Sequence, residues 1–245
     1  MNENLASISF WEYKNDEIEF VKVNDDNPVK RWIKGQIKPG NGSCLEIGCF
    51  PGRYLTIFGD LGYQLNGIDL LDKTDTELPI WLRSEGYEVG DFIKDDFIAH
   101  DFKEKKYDIV YSLGFIEHFT NWEEVLVKHI QLLKPGGKLL IEVPNFRGFI
   151  QYFLHFIFDR ENLNRHFVPS MDPDKWEKLL LKEGFEIEKK DFFYGFDFWV
   201  EEQKRAKVTI FILNIFHKVV WKLKPLIKGN SKHYSPFCGI VARKL

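Results

Sequence analysis

Cysteine is scarce: three occur in 245 residues, Cys44, Cys49 and Cys238. Their spacing fits no zinc-ligand pattern, so neither a disulfide framework nor a zinc knuckle organises the chain. The expectation is a protein of a reducing compartment, the cytoplasm, with no metal ligand set. Long apolar runs are missing too, and none nears the roughly 18 residues of a membrane span. The first twenty residues, MNENLASISFWEYKNDEIEF, have neither a basic start nor an apolar stretch, so no secretory leader is expected. Repeats and low-complexity segments are absent. Acidic residues vanish from 204 to 245, where ten of the 34 Lys and Arg lie, leaving 24 basic against 37 acidic side chains in the first 203 residues. A basic stretch on an acidic body calls for a partner surface, either an acidic face of the same chain or an external anion.

What is present bounds the class. Apolar residues at 44% and charged residues at 29% exclude a disordered chain. The length suits a single domain over 1–245 with a substantial core. Aromatics reach 16%, with 23 Phe, more than core filling alone requires.

The order of elements predicts an α/β fold. SCLEIG at 43–48 reads as a buried strand ending at a glycine turn, followed by a short helix from Leu55 to Leu61. QLNGID at 64–69 is the next strand, a weaker one lies near Ile93, and YDIVYS at 107–112 is a fourth. Thr120-Asn121-Trp122-Glu123 has capping-box form and opens a helix to about Leu133, stopped by the Lys-Pro-Gly-Gly turn. KLLIEV at 138–143 is a fifth strand. Strands alternating with helices predict a mostly parallel sheet with helices on both faces. Beyond Pro144 the pattern becomes irregular and aromatic-rich at 149–158. Asp172-Pro173 starts a helix running to Gly184. Segments 185–189 and 237–242 read as two final strands, a terminal antiparallel hairpin carrying a helical insertion at about 199–227.

Ligands of an open α/β sheet bind beyond the carboxyl ends of the strands. Three features converge there. Glu46-Ile47-Gly48-Cys49-Phe50-Pro51-Gly52 joins strand to helix through glycines that let backbone approach a ligand. Asp69, followed by Leu70, closes the second strand, where a carboxylate can accept from both hydroxyls of a ribose. Asp96-Phe97 offers an acceptor for an adenine amino group and an apolar side chain for its ring. Each feature alone also has a purely structural reading; in this order they favour an adenosine ligand.

These residues carry a resemblance. The chain resembles the class I S-adenosylmethionine-dependent methyltransferases: LEIGCFPG at 45–52 is similar to their glycine turn, GID at 67–69 to their ribose-binding strand end, and DF at 96–97 to their adenine contact. YDIVYSLGFIEHF at 107–119 and LLKPGGKLLIEVPN at 132–145 resemble their fourth and fifth strands. The resemblance implies a Rossmann-like, seven-stranded fold whose cofactor core spans about 40–145 and whose acceptor region and basic arm span about 146–235. It implies S-adenosyl-L-methionine as cofactor, S-adenosyl-L-homocysteine as product, and Glu46, Gly48, Phe50, Gly52, Asp69, Leu70, Asp96, Phe97 and Ser112 as cofactor-binding residues. HFVP followed by a Trp-bearing helix, 166–185, is similar to bacterial enzymes modifying polysaccharide sugars, which implies O-methylation of a small-molecule or sugar acceptor. The family's middle glycine is Phe50 here. A Phe at positive φ is strained, so the turn is expected to take another path.

The acceptor's proton needs a base. His118 is the first candidate, with capping of the turn before Thr120 as its structural alternative; His166 is the second. Asn145 is a candidate for orienting the acceptor, and Tyr194 a weaker one. A nicotinamide-dependent oxidoreductase is the first rival reading, but Gly48 and Gly52 are not spaced Gly-x-Gly-x-x-Gly. A non-catalytic binding protein on the same fold is the second. Nucleic acid is not an expected partner: the body is acidic, and VPN lacks the Asn/Asp-Pro-Pro-aromatic pattern that holds a flat base.

KVTIFILNIFHKVVWKL at 207–223 places Lys207, Asn214, Lys218 and Lys222 on one side of a helix that is apolar elsewhere. Such a helix must cover almost its whole circumference. The coverings are the chain's own aromatic segment, a second copy in a homodimer, or peripheral contact with the inner membrane surface.

Overall fold

Strand β1 (Ser43–Ile47) is buried on both faces because it is the central parallel strand, covered above and below. In the computed structural model, which describes residues 5–6, 10–11, 19–201 and 207–245, six further strands follow: β2 (Gln64–Asp69), β3 (Val89–Lys94), β4 (Tyr107–Leu113), β5 (Leu133–Pro144), β6 (Phe185–Phe193) and β7 (Phe237–Lys244). Their spatial order is β3-β2-β1-β4-β5-β7-β6. β1 to β5 pair in parallel, while β7 runs antiparallel to both β5 and β6. The Rossmann-like sheet with a terminal hairpin is therefore as the sequence predicts.

The helices are α1 (Pro28–Gln36), α2 (Leu55–Asp60), α3 (Glu77–Ser84), α4 (Trp122–Gln131), α5 (Phe149–Phe158), α6 (Arg160–Asn164), α7 (Pro173–Lys182) and α8 (Lys207–Leu223). Alternation along the strands builds two cores. Leu45, Ile47, Val110, Leu139 and Ile141 face α4 and α7. Cys44, Ile109, Tyr111 and Leu140 face α1, α2 and α3. All three cysteines are buried free thiols.

Several boundaries differ from expectation. α4 starts at Trp122 with Asn121 as its N-cap, not Thr120, and Asn121 Nδ2 donates to Glu124 Oε2 at 2.9 Å. β5 begins at Leu133 and runs through the Lys-Pro-Gly-Gly segment rather than after it. The aromatic run at 149–158 is α5, and α1 begins at Asn27-Pro28, where the Asn27 side chain accepts from Lys30 N at 3.0 Å. That is the same N-cap-then-proline signal as Asp172-Pro173, whose Asp172 accepts from Asp174 N.

α8 occupies the predicted insertion, but its own chain covers little of it. Leu213 and Val220 are buried, whereas Phe211 (65% exposed) and Trp221 (78%) face outward. Among the described residues no helix is long and apolar enough to cross a membrane.

His129 of α4 is fully enclosed, with Nδ1 donating to Val125 O at 2.7 Å and Nε2 3.1 Å from Ser112 Oγ. Burial holds it down at about 4 from an ordinary 6.5. The unfolded chain binds the proton first, so this contribution is complete above its unfolded pKa and is lost as pH falls through the folded one. The loss is about 2 kcal/mol at about pH 5. Urea unfolding at neutral and mildly acidic pH measures it against His129→Gln, whose stability should be flatter by that amount. Identical pH slopes for the two proteins would refute the assignment.

Candidate active site

The strand ends of β1, β2, β4 and β5 open into one cleft of about 740 Å³, a volume typical of small-molecule sites. Its glycine turn is built as the spacing suggests, with Gly48 (φ 72°) and Gly52 (φ 84°) in the left-handed region. A Cβ on Gly48 would meet Phe115 at 2.6 Å, and one on Gly52 would meet Leu78 at 2.3 Å. Phe50 does not take positive φ, so the turn carries it without that strain. Its N–H donates to Asp69 Oδ2 at 3.0 Å, and its ring lies edge-on to Phe20 at the cleft rim.

Asp69 also accepts from Leu71 N at 3.2 Å. Burial raises its carboxyl above the ordinary range, partly offset by the backbone donors of Phe50 and Leu71. Two N–H groups leave a carboxylate with further acceptor sites. Leu70, Asp96 and Phe97 line the same cleft. Asp96 Oδ1 accepts from Ile98 N at 2.9 Å, and the Phe97 ring packs on His129 at 4.9 Å between centroids.

Glu46 and Glu142 reach the cleft from β1 and β5. Burial pushes Glu46 well above the carboxylate range, against a hydrogen bond from Tyr111 Oη, and pushes Glu142 up to about 8. Glu142 Oε1 is buried without a hydrogen-bond partner. Arg53 is the cation that draws both back down. Two buried acids, one with an oxygen lacking a hydrogen-bond partner, beside a bare glycine turn fit a cationic adenosine ligand that would draw off their protons.

Beyond β4 the chain forms a 3₁₀ turn, Ile116–His118, which carries Glu117 and His118. Phe167 N donates to Glu117 O at 2.7 Å, and His118 Nδ1 to Arg165 O at 2.8 Å. These bonds bring His166 beside His118, with ring centroids 4.7 Å apart. His166 Nδ1 donates to Asn162 O at 2.6 Å. Burial holds His118 at about 4 and His166 at about 3, so both rings are neutral near pH 7. Burial also pushes Glu117 well above the carboxylate range.

Three candidates lie elsewhere. Ser112 does not line the cleft: it shares the strand face of Val110, turned towards α4, where it bonds His129. Asn145 is buried with Nδ2 donating to Lys232 O and Ser235 O, which fixes the 231–236 loop to the end of β5. Tyr194 lies outside the cleft under Lys224 and Arg31.

The cleft also has walls the motifs do not reveal. Leu5 N donates to His118 O at 2.9 Å, Trp11 lies edge-on to His118, and the Arg165 guanidinium covers Phe10 at 4.0 Å. Arg165 pairs with Glu201, and Trp199 contributes from the stretch after β6. The aromatic surplus and the FW pair at 10–11 were the available signals, but neither carries positional information.

The sheet order, the glycine turn and the acidic end of β2 define a nucleotide-type α/β transferase site. A profile of the methyltransferase domain matches residues 24–190, and the chain belongs to this family, with the class I fold and S-adenosylmethionine as the cofactor of its class. A ubiquinone biosynthesis O-methyltransferase of Azoarcus sp. is 28% identical over 136 residues, 55% of this chain and 58% of that protein. The chain thus matches somewhat over half the length of this curated relative. A SAM-dependent methyltransferase structure from Archaeoglobus fulgidus superposes with TM-score 0.58 at 21% identity, over 88% of this chain and 93% of its own. A methyltransferase structure from Bacillus halodurans gives 0.60 at 18%, over 90% and 99%. At these identities the two structures speak for the fold.

Proposed function

We propose that this chain methylates a hydroxyl oxygen on a small ring-bearing acceptor. S-adenosylmethionine, when bound, supplies a methyl carbon made electrophilic by positive sulfur. In this reading Asp69 holds the ribose, Asp96 and Phe97 the adenine, and Gly48, Phe50 and Gly52 the methionine end, with Leu70 beside the nucleoside. Glu46 and Glu142, which burial holds protonated in the bare cleft, would give up their protons in the positive sulfur's field and then offset its charge. The observation that carries the reading is the cluster of Glu117, His118 and His166 after β4, in the same cleft as Asp69. His118 donates through Nδ1 to a carbonyl, so its lone pair is on Nε2, free to take the acceptor's proton.

Aromatic walls from Phe10, Trp11 and Trp199 accept the face of a flat ring. The name of the curated relatives favours a phenolic hydroxyl over the sugar hydroxyl suggested by the 166–185 pattern. A panel of dihydroxybenzenes and hexose derivatives, scored by methyl incorporation, tests this. Turnover on hexoses alone would restore the glycan reading, and none on either would reject ring hydroxyls. The cofactor assignment has its own test. Asp69→Ala should weaken S-adenosylhomocysteine binding by about 1–3 kcal/mol in calorimetry, with unchanged affinity refuting the ribose role.

α5 and α8 support a reading of where the protein acts. Phe149 (74% exposed), Phe153, Phe211 and Trp221 present apolar surface to solvent. Phe211 and Trp221 belong to the stretch 204–245, which contains no acid, and α5 packs on α8 through Phe158 and Phe216. Apolar side chains with lysines and no acid suit an anionic lipid surface. Flotation with phosphatidylglycerol vesicles should recover the protein at low salt and lose it at high salt or in Lys218→Glu/Lys222→Glu. A protein that stays unbound and sediments as a dimer through α8 would replace the lipid with a second copy.

A further inference from the structure

One donor atom from each of Glu117, His118 and His166 lies within 4.8 Å of the other two. We propose that these side chains form a divalent metal site of zinc type, whose exchangeable positions face the cleft and take oxygen atoms of the acceptor. The metal site itself stands on the geometry; only the role given to the acceptor rests on the O-methyl-transfer reading.

Three observations support it. Both imidazoles are held in one tautomer by backbone carbonyls, His118 Nδ1 by Arg165 O and His166 Nδ1 by Asn162 O. Each neutral ring therefore keeps its lone pair on Nε2, the arrangement in which histidines ligate metals. Glu117 is 1% exposed, yet its Oε2 is buried with no hydrogen-bond partner. A buried carboxylate oxygen left bare is costly, and a cation between it and the two rings satisfies it. The third observation is the bracing: Phe167 N to Glu117 O at 2.7 Å locks the two ligand-bearing segments together.

Two imidazole nitrogens and one carboxylate oxygen form the donor set of open-site transition metals and suit zinc. Metal–ligand bonds near 2.1 Å imply donor separations of about 3.4 Å, so inward movements under about 1 Å close the site. Three protein ligands leave at least one position for acceptor oxygen, and an acceptor with two adjacent oxygens can chelate. With the ion bound, His118 Nε2 is a ligand and not the base, and the ion would instead acidify the coordinated hydroxyl, whose proton passes to solvent. Among the described residues no other three His, Cys, Asp or Glu side chains converge this way. No ligand spacing announces the cluster, because its parts are 117, 118 and 166 in the chain. The expectation of no metal ligand set, drawn from cysteine spacing, is what the cluster revises.

The test uses the full chain, stripped with a chelator and titrated with Zn²⁺ by calorimetry and with Co²⁺ by visible ligand-field absorption. The expected result is one ion per chain, with affinity falling at least 10-fold in both Glu117→Gln and His166→Gln. S-adenosylhomocysteine affinity and circular dichroism should be retained, showing folded variants. No saturable binding of either ion by the wild-type chain, or equal binding in wild type and both variants, would overturn the site. A chelated protein that binds no metal yet methylates a ring hydroxyl in a His118-dependent way would overturn the metal and leave the proposed reaction standing. Metal binding without methyl transfer to any ring hydroxyl would do the reverse.

Discussion

Replacing His118 by alanine is expected to slow methyl transfer by about 10²–10⁴-fold, the range for a residue that handles a proton in the transition state. The expectation follows from a neutral ring whose Nε2 lone pair, with Nδ1 donating to Arg165 O, serves the acceptor hydroxyl either directly as base or, with the proposed ion bound, as one of its ligands. Cofactor affinity should change little, because Asp69 and the glycine turn belong to β2 and β1, whereas His118 follows β4. Single-turnover rates together with S-adenosylhomocysteine calorimetry separate the two effects. A variant with full rate would reduce His118 to a turn residue that accepts Leu5 N through its carbonyl, and would leave His166 to bear the chemistry.

Trp176→Ala should cost about 3–5 kcal/mol of stability, the range for emptying a large aromatic site in a core. Trp176 has no exposed surface, projects from α7 into the core where that helix covers β6 and β7, and donates through Nε1 to Ser170 O at 2.7 Å. That bond fixes the segment following His166. For a chain of this length the melting temperature should fall by roughly 6–20 °C. Urea unfolding gives the free energy directly, and a loss below about 1 kcal/mol would mean the surroundings collapse into the space.

The strand-end part of the cleft was legible because it is local. Gly48, Gly52, Asp69, Asp96 and Phe97 each sit where a strand ends, and strand ends follow from apolar runs closed by turn residues. Ser112 lies outside the cleft because the period of two turns it to the face of Val110 and His129, and strand membership alone does not tell the two faces apart. Asn145 failed because its partners, Lys232 O and Ser235 O, come from a loop far along the chain. The same distance hid the pairing of His118 with His166, although both were candidates singly. Phe10, Trp11 and Arg165 were invisible for a related reason: a side chain covering a cleft from a loop obeys no periodicity. α8 was read correctly as a helix apolar on nearly all sides, but its pattern could not say how much of that surface its own chain would cover.

β6 and β7 are neighbours in the sheet, with Phe193 opposite Phe237, and everything from 194 to 236 leaves and returns at that one pair. Gly195 N donating to Asn230 Oδ1 at 2.8 Å ties the two ends together. The excursion is therefore a cassette: its removal or exchange would leave the seven-stranded frame and the nucleoside half of the cleft intact. Yet it supplies both Trp199 and Glu201 of the acceptor wall and the solvent-facing helix α8. One graft at this junction would exchange part of the cleft wall and the exposed apolar helix in the same step.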